Sequence, residues 1–292
     1  MTLRSDLPAV AGLARPKAYQ TEVPGDALAD WSKKPLAEAE AETEISIYDV
    51  IGEDWWSGNG WTGDRMRRAL KRANGRDVTV KINSPGGDVF EGLAIYNELR
   101  SYKGKVSVQV MGIAASAASF IAMAADDLTM GLGTMMMVHK AWGIVIGNED
   151  EFADAAEVFG KIDASMVEVY RARTGKTADE LSALLRATTW MTAQEAVDQG
   201  FADRVDSDLV AEEAKDAKQN NSALMARRAI EAALARDGFT RQDRTALLRD
   251  LVPSAAPLDA SGPLAERDAG IEPGELASFL AEAKAFVTKI HS

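Results

Sequence analysis

A chain of 292 residues with 46% hydrophobic content has enough material for one large domain with appendages, or for two domains. Its formal charge of -12 argues against nucleic acid and against an anionic membrane surface as partners, because both select a basic face. The absence of cysteine excludes disulfides, thiolate catalysis and Cys-ligated zinc, and His139 and His291 are too few for a histidine metal site, so no metal or other cofactor is expected.

Residues 1–43 are rich in Ala, Pro, Lys and Glu without a sustained period, and read as a mobile N-terminal extension. The patch "AVAGLA" is short, adjoins Pro8 and is followed by Arg15, Pro16 and Lys17, which does not make a signal peptide. From "EISIYDVIG" the pattern becomes strand-like. "WTGDRMRRALKRANG" reads as a helix, with Thr62 as N-cap, Met66, Ala69, Leu70 and Ala73 on one face, and Gly75 as the left-handed residue that ends it. "DVTVKIN" is a strand, and "GDVFEGLAIYNELRSYKG" a helix ending near Gly104. "KVSVQVMG" is a strand with Val106, Val108 and Val110 on one face. "SAASFIAMAAD" is a short apolar helix, followed by the short strands "DLTMG" and "MMMVHKA". A long helix runs from Glu149 to Arg173. The next, "TADELSALLRA", opens with a Thr177–Glu180 capping box, and "WMTAQEAVDQGFADRV" closes the unit. Strands alternating with helices over short links imply an α/β fold with a largely parallel sheet. No run reaches the ~18 uninterrupted apolar residues of a membrane span.

Beyond residue 207 the character changes. "DLVAEEAKDAKQNNSA" and "VPSAAPLDASGPLAERDAG" are linker-like, and "LMARRAIEAALARDG" and "TRQDRTALLRDL" read as short helices. "GELASFLAEAKAFVTKI" puts Leu276, Phe279, Leu280, Ala283, Phe286, Val287 and Ile290 on one stripe. Docking on the chain's own body, self-association and a partner would each bury it. The organisation expected is therefore an extension (1–43), a folded α/β domain (44–207) and a helical C-terminal tail (208–292).

Three short motifs carry chemistry. In "NSPGGDVFEG", Pro85 fixes a turn, Gly86-Gly87 permit close backbone approach, and a helix starts near Asp88. Free N–H groups at such a place can hold an oxyanion, although most Pro-Gly-Gly stretches are only turns. Ser116 follows Gly112-Ile113-Ala114-Ala115 at the passage from strand to helix. A nucleophile there gains from the helix dipole, and the N–H groups of Ser116 and Ala117 would face outward; an isolated serine there would be an N-cap. Ser119 lies one turn inside the helix, where a hydroxyl bonds back to a carbonyl. His139 ends "TMMMVH" at a strand terminus, one strand and its connections after Ser116, and a neutral imidazole is the natural base for a serine hydroxyl.

In this order, "INSPGGDVFEGLAIYN", "GIAASAASFIAMAAD", "MMMVH" and "WMTAQEAVDQGFADRV" resemble the ClpP-type serine peptidases, most closely the head-maturation (prohead) proteases of phages and prophages. The resemblance covers about residues 45–207. It implies a superhelix of repeated ββα units shared with the crotonases, with Ser116 as nucleophile and His139 as general base. It also implies an oxyanion hole from the N–H groups of Gly87 and Ala117. The helix Glu149–Arg173, with "GIVIG" before it, would be the handle by which homo-oligomeric rings stack around a chamber that admits unfolded polypeptides. The expected location is the bacterial cytoplasm, including the interior of a phage prohead. The expected substrates are capsid, scaffold or portal proteins and the chain's own tails.

One position departs from the pattern. The family's acid falls at Thr188, in "ATTWMTA", and no carboxylate occurs between Glu180 and Glu195. Thr188 can accept a hydrogen bond from the imidazole but supplies no charge; a backbone carbonyl, a water, Glu195 or Asp198 are the alternatives. A slow protease is the expectation. The readings beside it are a housekeeping-type proteolytic subunit working with a separate ATPase, and a catalytically weak assembly scaffold. A Ser-Lys peptidase would use Lys140 in place of His139.

Overall fold

The computed structural model describes residues 3–16, 19–20, 22–31, 41–53 and 60–209, with 230–232, 234–235, 238–240, 243–244 and 247. The chain divides into two compact units, Met1–Val23 with Glu38–Ala211, and Pro24–Ala37 with Glu212–Ser292.

In chain order the elements are α1 (Leu3–Asp6), β1 (Tyr19–Gln20), α2 (Gly25–Trp31, in the second unit), β2 (Glu44–Ile47), α3 (Gly63–Ala73), β3 (Val78–Ser84), α4 (Val89–Ser101), β4 (Val106–Ala115), α5 (Ala117–Ala122), β5 (Asp127–Gly131), β6 (Met135–Val138), β7 (Ile144–Val145), α6 (Glu149–Thr174), α7 (Ala178–Ala187), β8 (Thr189–Thr192), α8 (Ala193–Asp198) and β9 (Arg204–Asp206). The main sheet runs β2-β3-β4-β5-β9, every neighbouring pair parallel. β6 adds to the far end of β4 in parallel and pairs with β8 antiparallel.

Alternation explains why these segments are strands: Val78, Val80 and Ile82 on β3 and Val106, Val108 and Val110 on β4 are buried, with half-buried residues between them. Helix ends follow local capping chemistry. Thr62 caps α3 by accepting from the Arg65 N–H, and reciprocal capping boxes open α6 (Asn148, Glu151), α7 (Thr177, Glu180) and α8 (Thr192, Glu195). α3 ends one residue earlier than its glycine suggests, because Asn74 takes the left-handed conformation first, at φ 52°. α4 stops at Ser101, short of Gly104. Tyr102 is extended, and the chain at Gly104 presses so close to the Arg76 carbonyl that a Cβ would lie 2.4 Å from it.

The N-terminal residues correct the expectation of a free extension. Arg4, 5% exposed, donates to the carbonyls of Leu99 (3.3 Å), Tyr102 (2.8 Å) and Gly104 (2.7 Å), neutralising the negative end of α4. Asn97 clasps the Val10 backbone with two hydrogen bonds, and Arg100 Nε donates to the Leu7 carbonyl at 2.6 Å. Leu7 and Val10 are buried. A composition poor in period does not reveal such docking, because the partners lie about 90 residues away.

In the second unit, Ala27, Leu28 and Trp31 of α2 are buried, as are Ile230, Ala232, Leu234 and Leu247. Residues 230–232 and 234–235 are helical, matching part of the helix read in "LMARRAIEAALARDG". Thr240 and Asp243 exchange capping bonds at the start of the segment read as the following helix. The charged stretch 33–40, nearly all of "DLVAEEAKDAKQNNSA", the linker at 252–270 and the apolar stripe of 274–290 lie outside the described residues.

Candidate active site

The site is built at the far end of β4. The register between β3 and β4 shifts from Ile82↔Val110 to Ser84↔Ala114, so β4 carries two extra residues over that step. Asn83 stabilises the irregularity, its Oδ1 accepting from the Ile113 N–H at 3.0 Å. Only glycine fits at 112, where a Cβ would come within 2.3 Å of that oxygen. Beyond the bulge β4 changes partner from β5 to β6, with Ala115 opposite Met137. The strand end is thereby delivered beside the strand that leads to His139.

Ser116 makes the turn between β4 and α5 at φ 54° and ψ -124°, a conformation that costs an L-residue of order 1–3 kcal/mol. It does not act as an N-cap: its hydroxyl makes no capping bond, and Oγ lies 2.6 Å from His139 Nε2. A strained serine at a sharp strand-to-helix turn exposes its hydroxyl at the sheet edge. Ser119 is the opposite case. It is buried, donates to the Ser116 carbonyl at 2.7 Å, and shares a 3.0 Å hydrogen bond with the Tyr170 hydroxyl. Burial pushes the Tyr170 phenol well above its ordinary range, with the Ser119 hydrogen bond opposing, so this pair stays neutral.

The Pro85-Gly86-Gly87 turn packs directly on Ser116. A Cβ on Gly86, at φ 86°, would meet the Ala115 carbonyl at 2.6 Å, Ser116 Cβ at 2.7 Å and the Ala117 nitrogen at 3.0 Å. Gly87, at φ 145°, lies against Ile51, where a Cβ would be 2.2 Å from the carbonyl oxygen. The bridge to Ile51 uses the Gly86 carbonyl and the Asp88 N–H. In a parallel bridge the intervening residue points its own N–H away from its partner, and Gly87 is one of the residues lining the pocket at Ser116. The Ala117 N–H, first in α5, has no acceptor within its helix. The Ser116 N–H does not face outward as its position suggested: it donates to the Met137 carbonyl at 2.9 Å and closes the β4–β6 ladder.

His139 follows Val138, which pairs with Thr189 across the antiparallel β6–β8 ladder. One step further that register sets Thr188 opposite His139. Thr188 is left-handed (φ 51°, ψ 70°) and ends α7. The two carboxylates weighed as substitutes are engaged elsewhere. Glu195 accepts from the Thr192 N–H (2.8 Å) and hydroxyl (2.9 Å), and Asp198 accepts from Gln194 at 2.8 Å. Lys140 pairs with Asp163 at 2.9 Å, and Asp163 also accepts from the Ala141 N–H, which fixes the chain just after the histidine. The carboxylate that lines the Ser116–His139 pocket is Glu22, 6% exposed and brought there by the N-terminal segment. Sequence reading missed it because nothing local connects residue 22 to residue 116. Asn83 was legible only as a strand end, Asp88 only as a helix start. Asp88 caps α4 by accepting from the Phe90 and Glu91 N–H groups. Among the described residues no cluster of His, Asp or Glu could hold a metal ion.

The family profile described as Clp protease matches residues 67–208. The ATP-dependent Clp protease proteolytic subunit 2 of Rhodococcus jostii (strain RHA1) is 34% identical over 132 residues, 44% of this chain and 68% of that protein. The ATP-dependent Clp protease proteolytic subunit of Pleurastrum terricola is 32% identical over 137 residues, 46% of this chain and 69% of that protein. A solved ClpP1 mutant from Listeria monocytogenes superposes with a TM-score of 0.48 at 22% identity, covering 57% of this chain and 92% of that one. The fold is the ClpP-like α/β fold, and the chain is a hydrolase of the serine endopeptidase class. Within that class it belongs to the Clp protease family.

Proposed function

We propose that Ser116 is the nucleophile and His139 the general base of peptide-bond hydrolysis, with the N–H groups of Gly87 and Ala117 forming the oxyanion hole. The observation that carries this reading is the 2.6 Å contact from His139 Nε2 to Ser116 Oγ at a strained strand end packed against the Gly86-Gly87 turn. In the first step His139 takes the hydroxyl proton as Oγ attacks the carbonyl carbon. It then gives that proton to the leaving amine, and water repeats the sequence to release the acyl group. Two backbone donors at the developing oxyanion are worth about 10²–10³ in rate each. The test is a fluorophosphonate probe followed by mass spectrometry: Ser116 acquires the label in the native chain, and Ser116→Ala does not label. Labelling at another serine removes the assignment.

The substrate reading is narrower. Polypeptides of a phage head, namely capsid, scaffold or portal proteins, are the proposed substrates, and the assembly is a ring-shaped homo-oligomer with stacked rings. This is supported by the sequence after the family match, about 85 residues, which suits a chain that carries its own assembly or targeting segments. The exposed apolar side chains near the handle, Trp142, Ile146 and Phe152, suit burial between copies. A second reading, a proteolytic subunit working with a separate ATPase, is favoured by the names of the relatives, which are ATP-dependent subunits. Intact-mass measurement over time separates the two: stepwise loss of terminal segments favours the first, and an unchanged mass with no cleavage of coexpressed capsid or scaffold protein favours the second.

A further inference from the structure

The pocket at Ser116 has two walls, the turn and helix start at Gly87 and Val89, and the segment Lys140–Trp142. The chain's own residues 15–23 hold on to both. Arg15 ion-pairs with Asp88, the cap of α4, and its guanidinium lies 5.1 Å from the Phe90 ring centroid and 5.9 Å from that of Tyr19. The Tyr19 ring is buried and meets Phe90 and Phe159 edge-on, at 5.6 Å and 5.5 Å between centroids, while its hydroxyl donates to the Trp142 carbonyl at 3.4 Å. Tyr19 and Gln20 pair antiparallel with Val145 and Ile144, and β1 and β7 form a two-stranded sheet of their own. Carried forward, that register sets residue 22 opposite Trp142, and Glu22 and Trp142 both line the pocket. The cavity left beside Ser116 is about 20 Å³, enough for a water.

An extended peptide recognised through its main chain makes contacts of this kind: antiparallel pairing with a strand beside the reacting group, and a side chain lining the pocket. We propose that the strap carrying Arg15, Tyr19, Gln20 and Glu22 is a built-in pseudosubstrate that pairs with β7 and closes the Ser116–His139 pair to other polypeptides until it is displaced. The inference rests on the reading of Ser116 and His139 as the hydrolytic pair. A strap that served only to hold the fold together would have no reason to bridge the two walls of this pocket. Tethering makes the closure effective, because a segment on a short link acts at an effective concentration of order mM, which a dilute substrate must overcome. The ion pair gives a means of release: Arg15 is partly exposed, so salt or a competing acidic group weakens its hold on Asp88.

The chain has no cysteine, so one engineered pair tests the proposal reversibly. Directly paired residues of adjacent strands are within disulfide reach, and Gln20→Cys with Ile144→Cys is such a pair. In the oxidised protein the strap is locked, and fluorophosphonate labelling of Ser116 is expected to be at least about tenfold slower than in the same protein after reduction. Arg15→Ala with Tyr19→Ala, which frees the strap, is expected to label faster than the native chain, and a synthetic peptide of residues 13–23 is expected to slow it again. Equal rates in the oxidised and reduced forms overturn the proposal, as does failure of the two cysteines to cross-link under oxidant, since the strands would then not be paired. No labelling in any form, the freed variant included, removes the hydrolytic reading, and the proposal with it.

Discussion

His139 stands between two strand ends that are made very differently. On one side the end of β4 is tightly built: a bulge held by Asn83, a serine at φ 54°, and a glycine turn that leaves no room for a Cβ. On the other side β8 begins at the end of α7, and the position opposite the histidine is a left-handed threonine without charge. Space and hydrogen-bond direction can be specified by glycine and small residues acting through the backbone. Charge cannot, because it needs a particular side chain. The serine side is therefore fixed by backbone geometry, whereas the charge beside the imidazole depends on which side chains reach it.

The largest expected effect is on the shared element: His139→Ala should lower kcat/KM for a peptide substrate by about 10³-fold or more, leaving the residual rate that oxyanion donors and binding provide. A rate within tenfold of native would mean that the serine side does not depend on the histidine. Next comes the packing of the serine side. Gly86→Ala puts a methyl group against the Ala115 carbonyl and Ser116, so kcat should fall about 10²-fold while circular dichroism stays native. Unchanged turnover would show that the turn yields easily and that its close fit is incidental.

Thr188→Asp sharpens the comparison from the other side. Aspartate tolerates the left-handed conformation better than a β-branched residue, and it would bring a negative charge to the position one register step beyond the Val138–Thr189 pair. An increase in kcat of about tenfold is expected, and no increase would mean that the ring is already held and compensated by other groups. The smallest effect is far from both sides. Arg204 hydrogen-bonds the Asp127 carboxylate and holds its pKa below the ordinary value, with burial opposing. A depressed folded-state pKa contributes stability above the unfolded value, about pH 4, and that contribution is lost as pH falls through the folded value. Asp127→Asn should therefore lower Tm at neutral pH by an amount equivalent to less than about 1 kcal/mol, and the two proteins should converge in acid. A gap that persists below about pH 2 would assign the effect to packing.

Much of the catalytic unit was readable without coordinates because its signals are short-range. The Thr177–Glu180 capping box, the Thr62 cap and the alternation of β3 and β4 each act within a few residues and each is present. The difference between Ser116 and Ser119 was also legible, since three residues of helix turn one hydroxyl inward to a carbonyl and leave the other at the helix start. By contrast, the Ser116 N–H was assigned to the pocket by position alone, and only the β4–β6 ladder commits it to Met137.

The sequence by itself determined which residue types stand at strand ends and helix starts, because turn, cap and period rules are local chemistry of the chain. The tertiary structure alone decided that Glu195 and Asp198 are spent on their own helix, that Lys140 is paired with Asp163, and that an N-terminal segment of unremarkable composition reaches the pocket with Glu22. These outcomes depend on register, bulges and which faces meet, and such contacts join residues a hundred positions apart that carry no mark of one another in the sequence.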